Sequence, residues 1–345
     1  MCMVLALVLL MMTGCEKQEI GKNVTEEPKN DKIQIGMSFD SFVIERWQRD
    51  RDIFVSMAKE MGAEVNVQNA NGDIEEQKKQ IDYFISKGMD AIVIICIDSD
   101  SLADSVKKAR DEGIKVIAYD RLIHDANVDL YVSFDNYEVG TLMGEAFIDN
   151  GLSDGKVVML GGATADDNVK QVEDGFTKVM EDNNVEILDT MHAEGWRAEL
   201  AGDYVYDHLD IIEQTDGIMC GNDNLASQVV RALAENRLAG EKLVVGQDAD
   251  LEACQRIVEG TQIMTVYKPV ERLATRAAEC TIALVKGEAI TGDDVSSFND
   301  GTYDVPYVKL DPIAVTEANM NEVIINSGFH LKEDVYLNVP SKMPN

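Results

Sequence analysis

The chain has 345 residues, of which 45% are hydrophobic, and a formal net charge of −32. This length suffices for two domains of ordinary size, each with its own core. The negative charge argues against nucleic acid or an anionic membrane surface as a partner, since both would repel the protein. A neutral or cationic small ligand is compatible with it.

The first fifteen residues resemble a lipoprotein signal. An apolar run from Met3 to Met12 is too short to span a bilayer, and small residues and Cys15 follow it. The resemblance implies that residues 1–15 are a signal, cleaved before Cys15, and that this cysteine is lipidated. Residues 16–31 are polar and lack apolar periodicity, which predicts a flexible tether. The alternative is an unprocessed apolar N-terminus on a cytoplasmic protein.

Strand and helix patterns alternate from Lys32 onward, first in a series of four. The predicted strands of this series are 33–39, 63–67, 91–96 and 115–119. Between them, apolar residues recur at helical spacing, and each of the three helices stops at a glycine. The run 91–96 is the most continuous apolar stretch, which predicts a central parallel strand. Together these repeats predict a doubly wound sheet with right-handed crossovers.

A second series of strands and helices predicts a second α/β half. Its predicted strands are 157–160, 185–188, 217–220, 243–245 and 263–266. Neither a GxGxxG nor a Walker glycine loop lies between any strand and helix, which argues against nucleotide binding. The pair Gly161 and Gly162 follows a strand but lacks a following Lys-Ser/Thr, so we interpret it as a close backbone turn.

The residues just past the predicted strands indicate a function. Ligands of open α/β sheets bind outside the carboxyl ends of the strands, and Asp120 and Arg121 stand at such an end. A carboxylate beside a guanidinium suits a ligand with adjacent hydroxyls, such as a sugar. A surface turn with a local ion pair is the alternative. The other strand ends carry Asp40, Glu45-Arg46-Trp47, Asp166-Asp167-Asn168, Glu194-Gly195-Trp196, Asn222-Asp223, Gln247-Asp248 and Lys268-Pro269.

Both tryptophans of the chain fall at these strand ends, one in each half. A tryptophan face packs well against the C–H face of a pyranose, so Trp47 and Trp196 could enclose a sugar from two sides. For Trp47 the competing interpretation is packing in a helix core; for Trp196, in a polar Gly-Trp-Arg turn, that alternative is weaker.

Several segments together resemble the periplasmic D-xylose-binding proteins of bacterial ABC importers, a branch of the ribose/galactose-binding superfamily. The resemblance covers nearly all of the chain from Lys32 to about His330. It is carried by Ile35-Gly36-Met37, Glu45-Arg46-Trp47-Gln48, Asp50 to Val55, Ala70-Asn71-Gly72, Gly113 to Val116, Ala118-Tyr119-Asp120-Arg121, Ser133 to Asn136, Gly246 to Leu251 and Met264 to Pro269.

The resemblance implies a set of sugar contacts and a fold. The implied contacts are Arg46, Trp47, Asp120, Arg121, Asn168, Trp196, Asn222, Asp248 and Lys268. The segment around Asn168 departs most from the family, and Lys170 could share its role. The implied fold is a periplasmic binding protein of type I, with two doubly wound parallel-sheet domains joined by a three-stranded hinge. Its lobes would be 32–135 plus 269–297 and 136–268 plus 298–335, with chain crossings near Asp135, Lys268 and Phe298.

These features predict a binding protein that captures a monosaccharide, with D-xylose favoured, and delivers it to the permease of an ABC importer. A related sugar such as glucose, ribose or galactose is the alternative, as is presentation to a chemoreceptor or a sensor histidine kinase. We expect an extracytoplasmic, lipid-anchored monomer without a cofactor or a metal.

Two other classes of protein compete with this prediction. A glycosidase could use Asp120 and Asp248 as acid and base. A sugar-responsive transcription regulator would need a helix-turn-helix before the first strand, where the sequence has an apolar run and a polar segment.

The remaining cysteines and histidines suggest no further chemistry. The cysteines have no metal spacing and are expected to be core thiols; they are Cys96, Cys220, Cys254 and Cys280. The histidines are scattered and expected at the surface; they are His124, His192, His208 and His330.

Overall fold

Strands and helices alternate along the chain and build two separate sheets. The computed structural model describes residues 32–344. The predicted signal, the tether and Cys15 lie outside the described residues. From Lys32 onward the chain forms one compact unit, within which each sheet is the centre of a lobe.

The first lobe is built on a seven-stranded sheet in the order β11-β12-β5-β4-β3-β1-β2. Its strands are β1 (Ile33–Phe39), β2 (Ala63–Asn69), β3 (Ala91–Ile94), β4 (Lys115–Tyr119), β5 (Leu130–Phe134), β11 (Val295–Asn299) and β12 (Asp304–Leu310). All residues of β3 are buried, and β3 lies between β4 and β1. The prediction of a central parallel strand from its continuous apolar run is therefore confirmed.

The second lobe is built on a six-stranded sheet in the order β13-β10-β9-β8-β6-β7. Its strands are β6 (Lys156–Gly161), β7 (Glu186–His192), β8 (Gly217–Cys220), β9 (Leu243–Gln247), β10 (Met264–Tyr267) and β13 (Ile313–Val315). Only β13 pairs antiparallel within this sheet, at its edge beside β10. The two-domain α/β fold predicted from the sequence is thus confirmed.

The helices are α1 (Arg46–Glu60), α2 (Ile74–Ser86), α3 (Ala103–Asp111), α4 (Asn136–Asp149), α5 (Asp167–Asp182), α6 (Glu199–Asp207), α7 (Leu209–Gln214), α8 (Asp223–Glu235), α9 (Leu251–Glu259), α10 (Val270–Lys286) and α11 (Lys332–Val335). Short single turns occupy Glu194–Trp196, Asn321–Ile325 and Pro340–Lys342.

Side-chain caps fix where several helices begin. Asp135 caps α4 by accepting from Glu138 N–H, and Asp166 caps α5 by accepting from Asn168 N–H. Asn222 caps α8 in the same way. Such a cap holds its side chain against the first helical turn. Polar groups of the second lobe are thereby fixed at the carboxyl ends of β6 and β8.

The chain passes between the two sheets three times. The first crossing follows β5 at Asp135, and the second lies at Lys268 and Pro269, after which α10 packs against α1. The third crossing differs from the prediction near Phe298. Both β11 and β12 belong to the first sheet, with Leu310 paired to Phe134, and the chain reaches the second sheet only at Ile313.

The physical reason for this correction is a long-range strand pairing. Tyr307 and Val308 of β12 lie parallel to Tyr131 and Val132 of β5, and Tyr307 stacks on Tyr131 with ring centroids 4.7 Å apart. Pairing across such a separation in sequence leaves no local pattern that marks its partner. Residues 298–310 therefore belong to the first lobe.

The four cysteines of the described residues, Cys96, Cys220, Cys254 and Cys280, are free and buried, which confirms the prediction of core thiols. The histidines were expected at the surface: His192 is exposed, and His124, His208 and His330 are partly buried. Each of these three has a hydrogen-bond partner that holds it.

Candidate functional site

A cavity lies between the carboxyl ends of the two sheets. Its empty space is about 470 Å³, including the opening at its mouth. The sequence-predicted site residues Arg46, Trp47, Asp120, Arg121, Asn168, Trp196, Asn222, Asp248 and Lys268 all line it. The other lining residues are Ile44, Gly161, Gly162, Asp166, Val169, Val172, Glu173, Met219, Gly221 and Gln247.

In the first lobe, Arg46 is fixed by two carboxylates. It begins α1 and donates to Asp50, one turn along the helix, through Nε (3.1 Å) and Nη2 (2.9 Å). Its Nη1 lies 2.9 Å from Asp120 Oδ2. Asp50 is fully buried and also accepts from Tyr119 Oη at 2.5 Å. The guanidinium therefore has a fixed position before any ligand arrives.

Arg121, the residue after Asp120, connects the two lobes. Its Nη1 donates to Asp40 Oδ2 and to the Cys96 carbonyl, each at 2.9 Å. Its Nε lies 2.7 Å from Asp166 Oδ2, which belongs to the second lobe. Burial raises the pKa of Asp166 to about 6, although the charge of Arg121 opposes this shift.

Asp120 is the carboxylate on which these contacts converge. Its backbone is left-handed (φ 64°), and its N–H continues the strand pairing by donating to Val132 O at 2.8 Å. Burial alone would raise the pKa of Asp120, but Arg46, Lys268 and Arg121 together hold it below its usual value. Asp120 is therefore ionised and acts as a hydrogen-bond acceptor.

The second lobe presents Asp248 in the same manner. It follows β9 with φ 97°, and its N–H donates to Val266 O at 2.8 Å, as that of Asp120 does to Val132. Lys268 Nζ lies 3.0 Å from Asp248 Oδ1. The next residue, Ala249, is also left-handed (φ 55°), and His330 Nε2 donates to its carbonyl at 2.7 Å. Left-handed backbone is costly for residues with a side chain, so these contacts offset the strain.

Glycines make room for the ring of Trp196. Trp196 is 9% exposed and has φ 57°, at the end of the single turn that follows β7. A Cβ on Gly162 would come within 2.2 Å of the indole, and one on Gly221 would come within 2.8 Å of Gly162 N. The interpretation of Gly161 and Gly162 as a close turn missed this role, because the ring arrives from a different strand.

Trp47 forms the aromatic part of the first lobe's half of the cavity. It is 2% exposed, and its ring meets Phe39 edge to face. The guanidinium carbons of Arg46 and Arg121 lie 4.6 and 5.6 Å from the ring centroid. Trp47 belongs to a core cluster, as the competing interpretation expected, and it also lines the cavity.

Asn168 of the second lobe makes a direct hydrogen bond to Asp120 of the first lobe. Its Nδ2 donates to Asp120 Oδ1 at 3.1 Å, and its Oδ1 accepts from Asn136 Nδ2 at 2.9 Å. The suggestion that Lys170 shares this role is wrong: Lys170 is exposed, does not line the cavity and pairs with Asp174, one helical turn away.

Buried polar atoms without a hydrogen-bond partner concentrate at this cavity. Among the described residues they include the indole Nε1 atoms of Trp47 and Trp196, Arg121 Nη2 and Gln247 Oε1. All four residues line the cavity. A buried polar group without a partner is costly, so these donors and this acceptor are positioned for a polar ligand.

Some residues that shape the site were not among the predicted contacts. Asp50 could have been found from its spacing of four residues from Arg46 on a helix. Asp166 and Gln247 stood among the polar strand ends, but nothing local indicated that they face the cavity. The apolar lining from Val169, Val172 and Met219 lies on regular elements and gives no local signal.

Comparison with known proteins agrees with this architecture. Residues 35–289 match the model of the periplasmic binding protein domain. The chain belongs to the periplasmic binding protein family. It is 41% identical over 309 residues to the D-xylose-binding periplasmic protein of Haemophilus influenzae, covering 88% of this chain and 92% of that protein. It is 39% identical to the D-xylose-binding periplasmic protein of Escherichia coli, covering 88% and 93%.

Solved structures of solute-binding proteins share this fold. An ABC transporter solute-binding protein from Clostridium phytofermentans with bound β-D-glucose has a TM-score of 0.79 and 27% identity, covering 88% of this chain and 99% of its own. A carbohydrate transporter solute-binding protein from Chloroflexus aurantiacus with D-glucose has a TM-score of 0.78 and 27% identity, covering 87% and 98%. None of the helices within residues 32–344 has the length and apolar character needed to cross a membrane.

Proposed function

We propose that this protein is the extracytoplasmic solute-binding component of an ABC importer and that it captures a monosaccharide, most favourably D-xylose, between its two lobes. The observation that carries this proposal is the cavity between the lobes, where two tryptophans and a set of buried, partly unpartnered polar groups meet. The partner is then the permease, which would recognise the closed pair of lobes.

The chemistry of the lining suits a sugar. Asp120 and Asp248 accept hydrogen bonds, whereas Arg46, Arg121 and Lys268 donate them. A sugar hydroxyl both donates and accepts, so it can bridge such pairs. The apolar faces of Trp47 and Trp196 suit the C–H face of a pyranose ring.

D-xylose is favoured over other sugars by the relatives. Both of the most similar proteins described above bear the name of D-xylose-binding proteins, at 39 to 41% identity. The solved relatives with bound glucose are only 27% identical and make a hexose the second candidate. Glucose has one hydroxymethyl group that xylose lacks, so a glucose site must have room for this group and a xylose site need not.

Glycoside hydrolysis with Asp120 and Asp248 as acid and base is disfavoured by the state of these two carboxylates. A general acid needs a raised pKa, whereas the pKa of Asp120 is held below its usual value by Arg46, Lys268 and Arg121. Asp248 lies 3.0 Å from the Lys268 ammonium. Incubation with aryl xylosides and aryl glucosides should release no phenol.

Anchoring through a lipidated Cys15 remains part of the proposal and rests on the apolar run before that cysteine. The Cys15→Ala variant should then move from the membrane fraction to the soluble fraction of the cell. Continued membrane association of that variant would contradict the lipid anchor without affecting the sugar site.

Titration calorimetry against pentoses and hexoses tests the proposed ligand. D-xylose should bind more tightly than D-glucose, D-ribose or D-galactose. Both tryptophans of the chain line the cavity, so tryptophan fluorescence should change on binding. Absence of binding for every sugar in the panel would contradict the proposal.

Trp196→Ala should weaken sugar binding by about 1 to 3 kcal/mol, because the ring supplies an apolar face to the cavity. Tyr206→Ala is the matched control, since Tyr206 is an exposed aromatic residue of the same lobe. An unchanged affinity of the Trp196 variant would remove this residue from the site, and a large fall in its melting temperature would favour core packing.

A further inference from the structure

Loops of the two lobes meet directly at the rim of the cleft. Ser99, in the loop after β3, donates from its N–H to Ala165 O at 2.9 Å and accepts at Oγ from Asp167 N–H at 3.2 Å. Ala165 and Asp167 belong to the second lobe. His124, in the loop after β4, donates from its N–H to Ser99 O at 2.8 Å and so lies within this contact.

The ring of His124 stands between two carboxylates, one from each lobe. Its Nδ1 lies 2.7 Å from Asp100 Oδ1 in the first lobe. Its Nε2 lies 3.1 Å from Asp167 Oδ1 in the second lobe. A neutral imidazole has one donor and one acceptor, and an ionised carboxylate only accepts. Both contacts are therefore hydrogen bonds only when the ring carries a proton on each nitrogen.

We propose that His124 is an affinity-determining residue of this receptor: as an imidazolium it joins the lobes through Asp167, and it thereby stabilises the closed, ligand-holding conformation. His124 does not line the cavity, so it acts by favouring closure rather than by touching the ligand. This inference rests on the proposed sugar-binding function. It implies that sugar binding is coupled to proton uptake by His124.

Of the two carboxylates, Asp167 interacts more strongly with the His124 ring than Asp100 does. The Asp167 side chain is 16% exposed, whereas that of Asp100 is 84% exposed, and an exposed pair is weakened by solvent. Asp167 also accepts from Gln171 Nε2 at 2.6 Å, which orients it toward the rim. Opening the cleft would remove Asp167 from His124 but would leave Asp100 in place, because Asp100 shares the lobe of His124.

The surrounding charges support a protonated ring. The hydrogen bond with Asp167 raises the pKa of His124, burial opposes this shift, and Asp100 adds to it, which places the pKa at about 9. On α5, Lys170 is the further charged group that acts on Asp167, and with His124 and Gln171 it helps keep the pKa of that carboxyl below its usual value.

The direction of the pH dependence follows from linkage. Closure raises the pKa of His124, so the closed form binds the proton more tightly than the open form does. The contribution of His124 to sugar affinity is complete below its pKa in the open form. That pKa is at or above the ordinary value for histidine, about 6.5. The contribution is lost as the pH rises through about 9, the pKa of the closed form.

The test is calorimetric titration of the full protein with D-xylose at a series of pH values from about 6.5 to 9.5. The Kd of the wild type should rise between about pH 7 and pH 9, by up to about fortyfold, the limit set by a pKa of about 9 in the closed form and about 6.5 in the open form. His124→Asn should bind more weakly than the wild type at the lowest pH, and its Kd should change little with pH. His208→Gln is the matched control, because His208 bonds a backbone carbonyl within the second lobe, and it should keep the wild-type profile.

Proton uptake gives a second readout that a merely structural role would not change. At about pH 8, the binding enthalpy of the wild type in buffers of different ionisation enthalpy should reveal uptake of a fraction of a proton per sugar. His124→Asn should abolish this uptake. Asp167→Asn should reduce it as well, and the double variant should bind no more weakly than the weaker single variant.

Failure of the proposed sugar-binding function and failure of the role of His124 give different results. If the wild type binds no sugar at any pH, the proposed function is wrong. If it binds sugar, but His124→Asn shows the same affinity, pH profile and proton uptake as the wild type, the role of His124 is overturned.

Discussion

The two lobes hold their halves of the cavity by different means. In the first lobe, the charged groups are fixed by other buried side chains: Arg46 by Asp50, and Arg121 by Asp40. In the second lobe, Trp196 depends instead on backbone geometry. Both lobes present a carboxylate from left-handed backbone, Asp120 in the first and Asp248 in the second, but Trp196 itself also has left-handed backbone and needs the absent side chain of Gly162.

This difference separates stability from affinity. A buried ion pair that loses one member leaves an uncompensated charge in the protein interior, which destabilises the fold itself. A disturbed turn at the edge of the second sheet displaces a contact group but leaves the core of the lobe intact. Substitutions in the first lobe's half of the cavity should therefore mainly reduce folding stability. Substitutions in the second lobe's half should mainly reduce sugar affinity.

Asp50→Ala should have the largest effect, a loss of about 3 to 5 kcal/mol in the free energy of unfolding. Asp50 is fully buried and accepts hydrogen bonds from Arg46 and Tyr119, and both donors would lose this partner. Chemical denaturation measures the loss. Asp52→Ala on the same helix is the control: Asp52 is exposed and pairs with Arg51, so its removal should cost less than about 1 kcal/mol. Equal stability of the two variants would refute the difference between the lobes.

Gly162→Ala should reduce sugar affinity by about 2 kcal/mol while changing folding stability less. The added Cβ would lie 2.2 Å from the Trp196 ring, so the ring must move away from its place in the cavity. Calorimetry gives the affinity and thermal unfolding gives the stability.

Gly202→Ala serves as its control in the same lobe. The nearest atom to that added Cβ would be Gln228 Cβ at 3.2 Å, and the residue lies within α6, away from the cavity. Its affinity for sugar should equal that of the wild type. If Gly162→Ala binds as the wild type does, the packing of Trp196 on Gly162 has no part in binding.

His330→Ala should have the smallest effect, a loss of about 1 kcal/mol in sugar affinity. Burial lowers the pKa of His330, so the ring is neutral and donates from Nε2 to the carbonyl of Ala249, beside Asp248. Its loss would loosen the strained turn that presents Asp248. His208→Ala removes a comparable bond to Tyr204 O and should leave affinity unchanged. Equal affinities of the two variants would show that the turn needs no support from His330.

The sequence predicted the alternation of strands and helices, because apolar periodicity and terminal glycines are local signals. It also predicted that residues of the cavity lie close together, because the carboxyl ends of parallel strands share one edge of a sheet. Gly162 escaped prediction as a site-shaping residue, because its role depends on a side chain that meets it only in the folded lobe, whereas Asp50 was missed although its helical spacing from Arg46 is a local signal. The third crossing between the lobes was misplaced because β12 pairs with β5, far away in sequence.

Small-angle X-ray scattering with and without saturating D-xylose tests the central claim, that one sugar is held by both lobes at once. Arg46, Asp120 and Arg121 come from one lobe and Trp196 and Asp248 from the other, so a bound sugar must favour the closed form. The radius of gyration should decrease when D-xylose is added. An unchanged radius of gyration under conditions where calorimetry shows full occupancy would contradict closure around the sugar.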